Sequence, residues 1–144
     1  MATFLLTWNP LKWDWTSLDE VINQFNDNGF IEISWSCGVT KCINFGDKIF
    51  LIKIGRNQPK GIMASGVVTT PPYLKPHYSI TGKYATNIDV KIDWIINPKK
   101  NRLLELDLIK MEFPNFGWTP QNSGIKIPEQ YIERLESIWT QCKY

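Results

Sequence analysis

The chain predicts an α+β domain. Its expected centre is a small, mostly antiparallel β-barrel, closed or nearly closed, flanked by two or more helices. Three observations carry this. Five or six segments show the apolar, β-branched composition or period-two alternation of strands, and turn signals such as Gly46-Asp47 and Gly55-Arg56-Asn57-Gln58-Pro59 separate some of them. Helical spacing occurs in only two places, near opposite ends of the chain. Helices at opposite ends of a mainly antiparallel strand series point to a closed or nearly closed small barrel.

The elements follow in order. Residues 2–8 form an apolar and β-branched strand that Asn9-Pro10 breaks. Ser17-Leu18-Asp19-Glu20 matches a capping box, with Ser17 as N-cap and Glu20 reaching back. Leu18, Val21, Ile22 and Phe25 then predict a helix of about ten residues, stopped by Asn26-Asp27-Asn28-Gly29. Residues 30–35 alternate as a half-buried strand. Lys48 to Ile54 and Lys60 to Thr70 read as a hairpin, the second strand interrupted by Gly61 and Gly66, which mark bulges or close approach of another backbone.

Residues 71–87 form a long polar and aromatic excursion with three prolines and three tyrosines, a length that in a compact domain is usually functional or mobile. Alternation returns from Ile88 to Ile96, and Leu103 to Ile109 reads as another strand. Residues 113–124 are a second irregular loop. Pro128 suits a first helical position, and Tyr131, Ile132, Leu135, Ile138 and Trp139 give the last helix its apolar stripe.

A length of 144 residues fits one domain, 1–144, able to bury a core without staples. Hydrophobic content of 43% and charged content of 21% are ordinary for a soluble globular protein. No apolar run approaches the roughly 20 residues of a membrane span, and the first residues lack a basic leader, so no membrane or secretory role is expected. Three cysteines, Cys37, Cys42 and Cys142, lack metal-site spacing and suit a reducing cytoplasm.

Catalysis finds little support. The single histidine, His77, leaves no His-Cys or Ser-His pairing evident and makes zinc ligation implausible. Asp89 and Asp93 share one face of a strand, but Lys91 between them makes a neutralised surface ladder the simpler reading. No phosphate-cradling loop of the GxxxxGK[ST] type is present. The expectation is a binding module with no catalytic residues, metal or cofactor.

Binding is better supported. Three of the seven tryptophans lie close together, Trp8, Trp13 and Trp15. Two others open polar, Gly-containing segments: Trp35-Ser36-Cys37-Gly38 and Trp118-Thr119-Pro120-Gln121-Asn122-Ser123-Gly124. An indole beside hydrogen-bonding groups suits a flat polar ring such as a nucleobase, whose stacking on an aromatic side chain is worth about 1–3 kcal/mol. The competing reading is that both indoles plug the barrel ends. Net charge is only +2, so a nucleic-acid partner would need a local patch. Lys53, Arg56 and Lys60 have no acid between them, and Lys99, Lys100 and Arg102 nearly adjoin; either cluster is a patch or a solvated face.

In order along the chain, Phe4-Leu5-Leu6-Thr7-Trp8-Asn9-Pro10 with Lys12-Trp13, Trp35-Ser36-Cys37-Gly38-Val39-Thr40, Gly46-Asp47-Lys48, Pro59-Lys60-Gly61-Ile62 to Gly66, and Trp118 through Ile125 resemble the EVE branch of the PUA-like superfamily, related to the YTH readers of N6-methyladenine. The ordered set spans residues 4–139. The second cage tryptophan of YTH readers has no counterpart in the excursion, and Lys60 stands where many relatives carry arginine.

The resemblance implies a PUA-like fold that binds double-stranded DNA and accepts a flipped, modified base. It would be the specificity module of a modification-dependent restriction system, with a nuclease or AAA+ GTPase fused or separate. Trp35 would stack on the base, and Ser36, Cys37 and the Gly38 backbone would read its edge. Trp118, Gln121 and Ser123 would form the opposite wall. Trp8 is core or pocket floor, and Tyr84 and His77 are candidates to close the pocket. Lys53, Arg56 and Lys60 would contact phosphates. The alternative is an RNA reader of a modified nucleotide, because PUA-like folds often bind RNA.

Overall fold

The computed structural model describes residues 2–38, 42–76 and 82–143. Among them are eight strands and three helices. β1 (Thr3–Trp8) is followed by α1 (Leu18–Asn28), β2 (Ile31–Gly38), β3 (Lys48–Lys53) and β4 (Gly61–Val68). Next come β5 (Tyr73–Pro76), β6 (Tyr84–Ile95), β7 (Leu104–Glu105) and α2 (Leu106–Glu112). β8 (Ile125–Lys126) and α3 (Glu129–Lys143) complete the chain.

The strands form one curled, mixed sheet, a half-barrel in the order β2-β6-β4-β3-β1-β8, with β5 added to β6 and β7 to β4. All ladders are antiparallel except β1 with β3. A parallel pair needs a crossover, and α1 with β2 provides it. The α+β class and barrel-like curvature thus agree with the sequence.

Two glycines bring the ends of the sheet order together. Gly38, in the left-handed region (φ 65°), leaves no room for a side chain: a Cβ would lie 2.6 Å from the Ser123 carbonyl oxygen. Gly124 (φ 92°) is pressed in the same way against the backbone of Cys37. The end of β2 therefore meets the segment entering β8, and the Gly124 amide donates to the Leu5 carbonyl on β1 (2.9 Å).

Leu18, Val21, Ile22 and Phe25 are the buried face of α1, as their spacing requires. Ser17 is the N-cap, but its side chain makes no capping bond, so the expected capping box is not formed. The last helix buries Leu135, Ile138 and Trp139. Trp139 packs edge-on to Phe50 and donates to Ser65 Oγ (2.8 Å). Gly66 sits at a register shift against β6, where a Cβ would meet the Lys91 carbonyl oxygen at 2.5 Å, the close approach its position implied.

Two further expectations need correction. Leu103 to Ile109 is not one strand: β7 takes two residues and α2 begins at Leu106. Leu106, Ile109 and Phe113 are buried at helical spacing, while Leu108 and Met111 face solvent. A short apolar run does not reveal its period. The excursion of 71–87 is also less irregular than expected. β5 pairs with the start of β6, which begins at Tyr84 rather than Ile88. All four β5 residues are exposed, so no burial alternation marked them.

Candidate functional site

A cavity of about 450 Å³ opens where β1, β2, the β5–β6 ribbon and the segment before β8 converge. Its size is that of pockets which hold small organic rings. One wall is indole: Trp8, Trp13 and Trp35. Polar side chains join it, Ser34, Ser36 and Asn87 from β2 and β6 and Gln121, Asn122 and Ser123 from the segment before β8, with Ile54, Pro76 and Ala85 among them. Lys12 and Lys75 also line it.

The indoles are held as a cluster. Trp15 sits behind, 4.8 Å from Trp35, 5.4 Å from Trp8 and stacked at 5.8 Å on Trp13. Trp35 Nε1 donates to the Thr7 carbonyl (3.1 Å) and Trp8 Nε1 to the Trp13 carbonyl (3.0 Å). Backbone acceptors therefore use both N–H groups, and these two rings can offer the cavity only carbon surface. Trp13 and Trp35 meet at 5.2 Å and 76°. Parallel rings sandwiching a third would need roughly 7 Å, two contact distances. A guest ring in this arrangement stacks on one indole and abuts the other.

Hydrogen bonding must then come from the other side chains. The Ser123 hydroxyl oxygen accepts from the Thr7 amide (3.1 Å), and that of Ser36 accepts from the Gly38 amide (3.3 Å). In these bonds each oxygen is the acceptor, so its proton can turn to a guest. Asn87 Nδ2 donates to Ser34 Oγ (3.1 Å), which contacts Tyr73 Oη (2.9 Å), and Tyr73 Oη donates to Asp89 (2.5 Å). Burial first, then the hydrogen bond to Asp89, raises the Tyr73 phenol above its ordinary value.

Of the residues expected at a base site, Trp8, Trp35, Ser36, Gly38, Gln121 and Ser123 are brought together. Four are not. Cys37 alternates with Ser36, points into the core with no exposure, and its Sγ lies 3.5 Å from the Thr86 carbonyl; burial raises its thiol pKa. Trp118 is only 1% exposed, packs on Phe113 and Phe116, and donates to the Phe113 carbonyl (3.1 Å). It anchors the loop whose later residues reach the cavity. Tyr84 has the parity opposite to the lining residues Ala85 and Asn87 and is 66% exposed. His77 lies outside the described residues.

The expected phosphate contacts separate similarly. Lys53 is buried: its ammonium donates to the Pro59 (2.6 Å) and Asn57 (3.3 Å) carbonyls and lies 5.9 Å from the Trp8 ring. Burial, then the nearby charge of Lys60, lowers its pKa. It fastens the β3–β4 loop and is no surface cation. Arg56 is exposed on that loop, beside Gly55, which packs against the Asn9 side chain at the cavity. Lys60 is half-buried, and its carbonyl accepts the Leu106 amide (3.0 Å). Arg102 is paired with Glu105 (3.0 Å), which raises the guanidinium pKa and lowers that of the carboxyl.

Sequence reasoning missed Trp13, Asn87, Lys12 and Lys75 as cavity residues. The run Trp8…Trp13-Asp14-Trp15 was a signal for the first. Asn87 and Lys75 could be placed only once β5 was known to pair with β6. A second hollow of about 190 Å³, under α3, is internally satisfied: Ser65 donates to Asp93 (2.5 Å) and accepts from Trp139, and Lys48 pairs with Glu136 (2.7 Å). No group of three or more His, Cys, Asp or Glu among the described residues converges as for a metal. No helix among them is long and apolar enough to cross a membrane.

No protein-family model matches the chain, and no curated protein does. Solved structures do. A Pseudomonas putida protein determined by crystallography superposes with a TM-score of 0.60 at 16% identity, covering 95% of this chain and 99% of that one. A Rhodopseudomonas palustris protein determined by NMR gives 0.57 at 15% identity, covering 100% and 97%. Both are structural-genomics targets, and at these identities they share the fold alone.

Proposed function

We propose that the chain is an EVE-type domain of the PUA-like superfamily that binds DNA and receives a flipped, modified base in the cavity. The observation that carries this reading is the pairing, in one 450 Å³ space, of an indole wall with side-chain hydrogen-bonding groups facing it. A base taken out of a duplex needs both, an aromatic surface to replace its stacking and polar groups to read its edge. The motifs that resemble EVE domains supply Trp35, Ser36 and Gly38 from one side and Gln121 and Ser123 from the other. Lys12 and Lys75 at the cavity, with Arg56 on the adjacent loop, provide phosphate contacts. In this reading cleavage belongs to another domain or partner, a nuclease or AAA+ GTPase, and the chain supplies specificity.

The test uses Trp13, the half-buried indole at the cavity. Trp13→Ala should weaken binding of a modified duplex by about 1–3 kcal/mol, the worth of one stacked ring. A weak, salt-sensitive background on unmodified duplex should remain. Retention of full discrimination in a fluorescence titration would place the base elsewhere. Competition by matched RNA oligonucleotides separates the DNA reading from an RNA one.

A further inference from the structure

Every proton in the hydrogen-bond chain beside the cavity can be assigned. Tyr73 gives its proton to Asp89 (2.5 Å), so its oxygen can only accept from Ser34 (2.9 Å). Ser34 therefore spends its own proton on Tyr73, and its oxygen can only accept from Asn87. The Asn87 amide is thereby locked, its nitrogen turned to Ser34 (3.1 Å) and its carbonyl oxygen fixed in the remaining direction. An asparagine amide is otherwise free to exchange the two ends, which are nearly the same shape. Asn87 lines the cavity.

We propose that this locked amide makes Asn87 the residue that selects bases carrying an exocyclic amine, cytosine and adenine derivatives, over those carrying a keto group at that position. This deepens the proposed base-reader function and rests on it. A fixed amide oxygen accepts from an amino N–H, and the second Nδ2 proton can meet the neighbouring ring nitrogen, the bidentate pattern asparagine makes with an amino-bearing edge. A keto base of the same outline presents an acceptor to that oxygen and a donor to that proton. Both contacts then become repulsive, and buried polar groups lose their partners. Tyr73, Ser34 and Asp89 act through Asn87 as positioning residues. Because β5 is an exposed edge strand, the outer part of the chain can be altered without disturbing the core.

The experiment compares single-stranded oligonucleotides that differ only at one base. 5-Methylcytosine is set against thymine, and N6-methyladenine against hypoxanthine; each pair exchanges amine for keto. Wild type should bind the amino member of whichever pair it accepts about tenfold or more tightly. Tyr73→Phe removes the acceptor-donor link, frees the Ser34 proton and lets the amide turn. The ratio should fall to within about threefold, mainly by a gain of affinity for the keto member. A merely structural role of Tyr73 would weaken both members equally. Equal binding of both members by wild type, a keto preference, or an unchanged ratio in Tyr73→Phe overturns the proposal and leaves the base reading standing. Binding of neither amino base above its keto partner or above a strand carrying plain cytosine or adenine at that position overturns the proposal, while the base reading is decided separately by titration with modified duplexes.

Discussion

Lys53 and Trp13 show how far a residue's type underdetermines its job. Lys53 lies in a basic stretch that invites a phosphate role, yet its ammonium is buried on the Asn57 and Pro59 carbonyls. Lys53→Met should cost about 1–3 kcal/mol in urea unfolding by leaving those acceptors unpaired. It should leave the salt dependence of DNA binding unchanged. Its lowered pKa also has a sign. The unfolded chain holds this proton to higher pH than the folded one. The burial cost is therefore present below the folded pKa and is relieved as pH rises from there to the unfolded lysine value. Wild type should gain stability across that alkaline window relative to Lys53→Met. An identical alkaline slope in the two proteins would count against the burial account. Trp13 shows the converse: its place before a helix suits an anchor of the helix entry or an edge of a DNA surface, and it lines the cavity.

The elements place the site by closure. β2 and the segment before β8 approach only because Gly38 and Gly124 lack side chains. That contact brings Ser36 and Ser123 to the lining of one cavity. Gly124→Ala should therefore lower unfolding free energy by about 1–3 kcal/mol, since it combines a positive φ with a backbone clash. Stability equal to wild type in denaturant titration would show that the closure carries no strain.

Much of this architecture was legible. The α1 stripe, the β3–β4 hairpin and the last helix follow directly from periodicity and turn residues. The Trp35-Ser36-Cys37-Gly38 and Gln121-to-Gly124 segments were legible as one site's halves, and the structure brings them together. Three features were hidden for physical reasons. α2 is too short to display its period, β5 buries nothing, and strand parity could not assign Cys37 to the core until β2's register against β6 was fixed. Trp118 shared a motif with cavity residues but was needed under the loop that presents them.

At the scale of the whole molecule, net charge is only +2, so attraction to a polyanion must be local. Lys12 and Lys75 line the cavity, Arg56 lies on the adjoining loop, and Lys53 contributes no surface charge. The fold is a curled sheet whose two ends meet beside a polar-aromatic cavity, and the proposed role of that cavity is to receive a base. The most direct measurement titrates the full chain with duplexes of one sequence. Each carries a single 5-methylcytosine, 5-hydroxymethylcytosine, glucosylated hydroxymethylcytosine or N6-methyladenine, or no modification, at two salt concentrations. At least one modified duplex should bind about tenfold or more tightly than the unmodified one, with both affinities falling steeply as salt rises. Equal affinity for every duplex, or binding indifferent to salt, would contradict it.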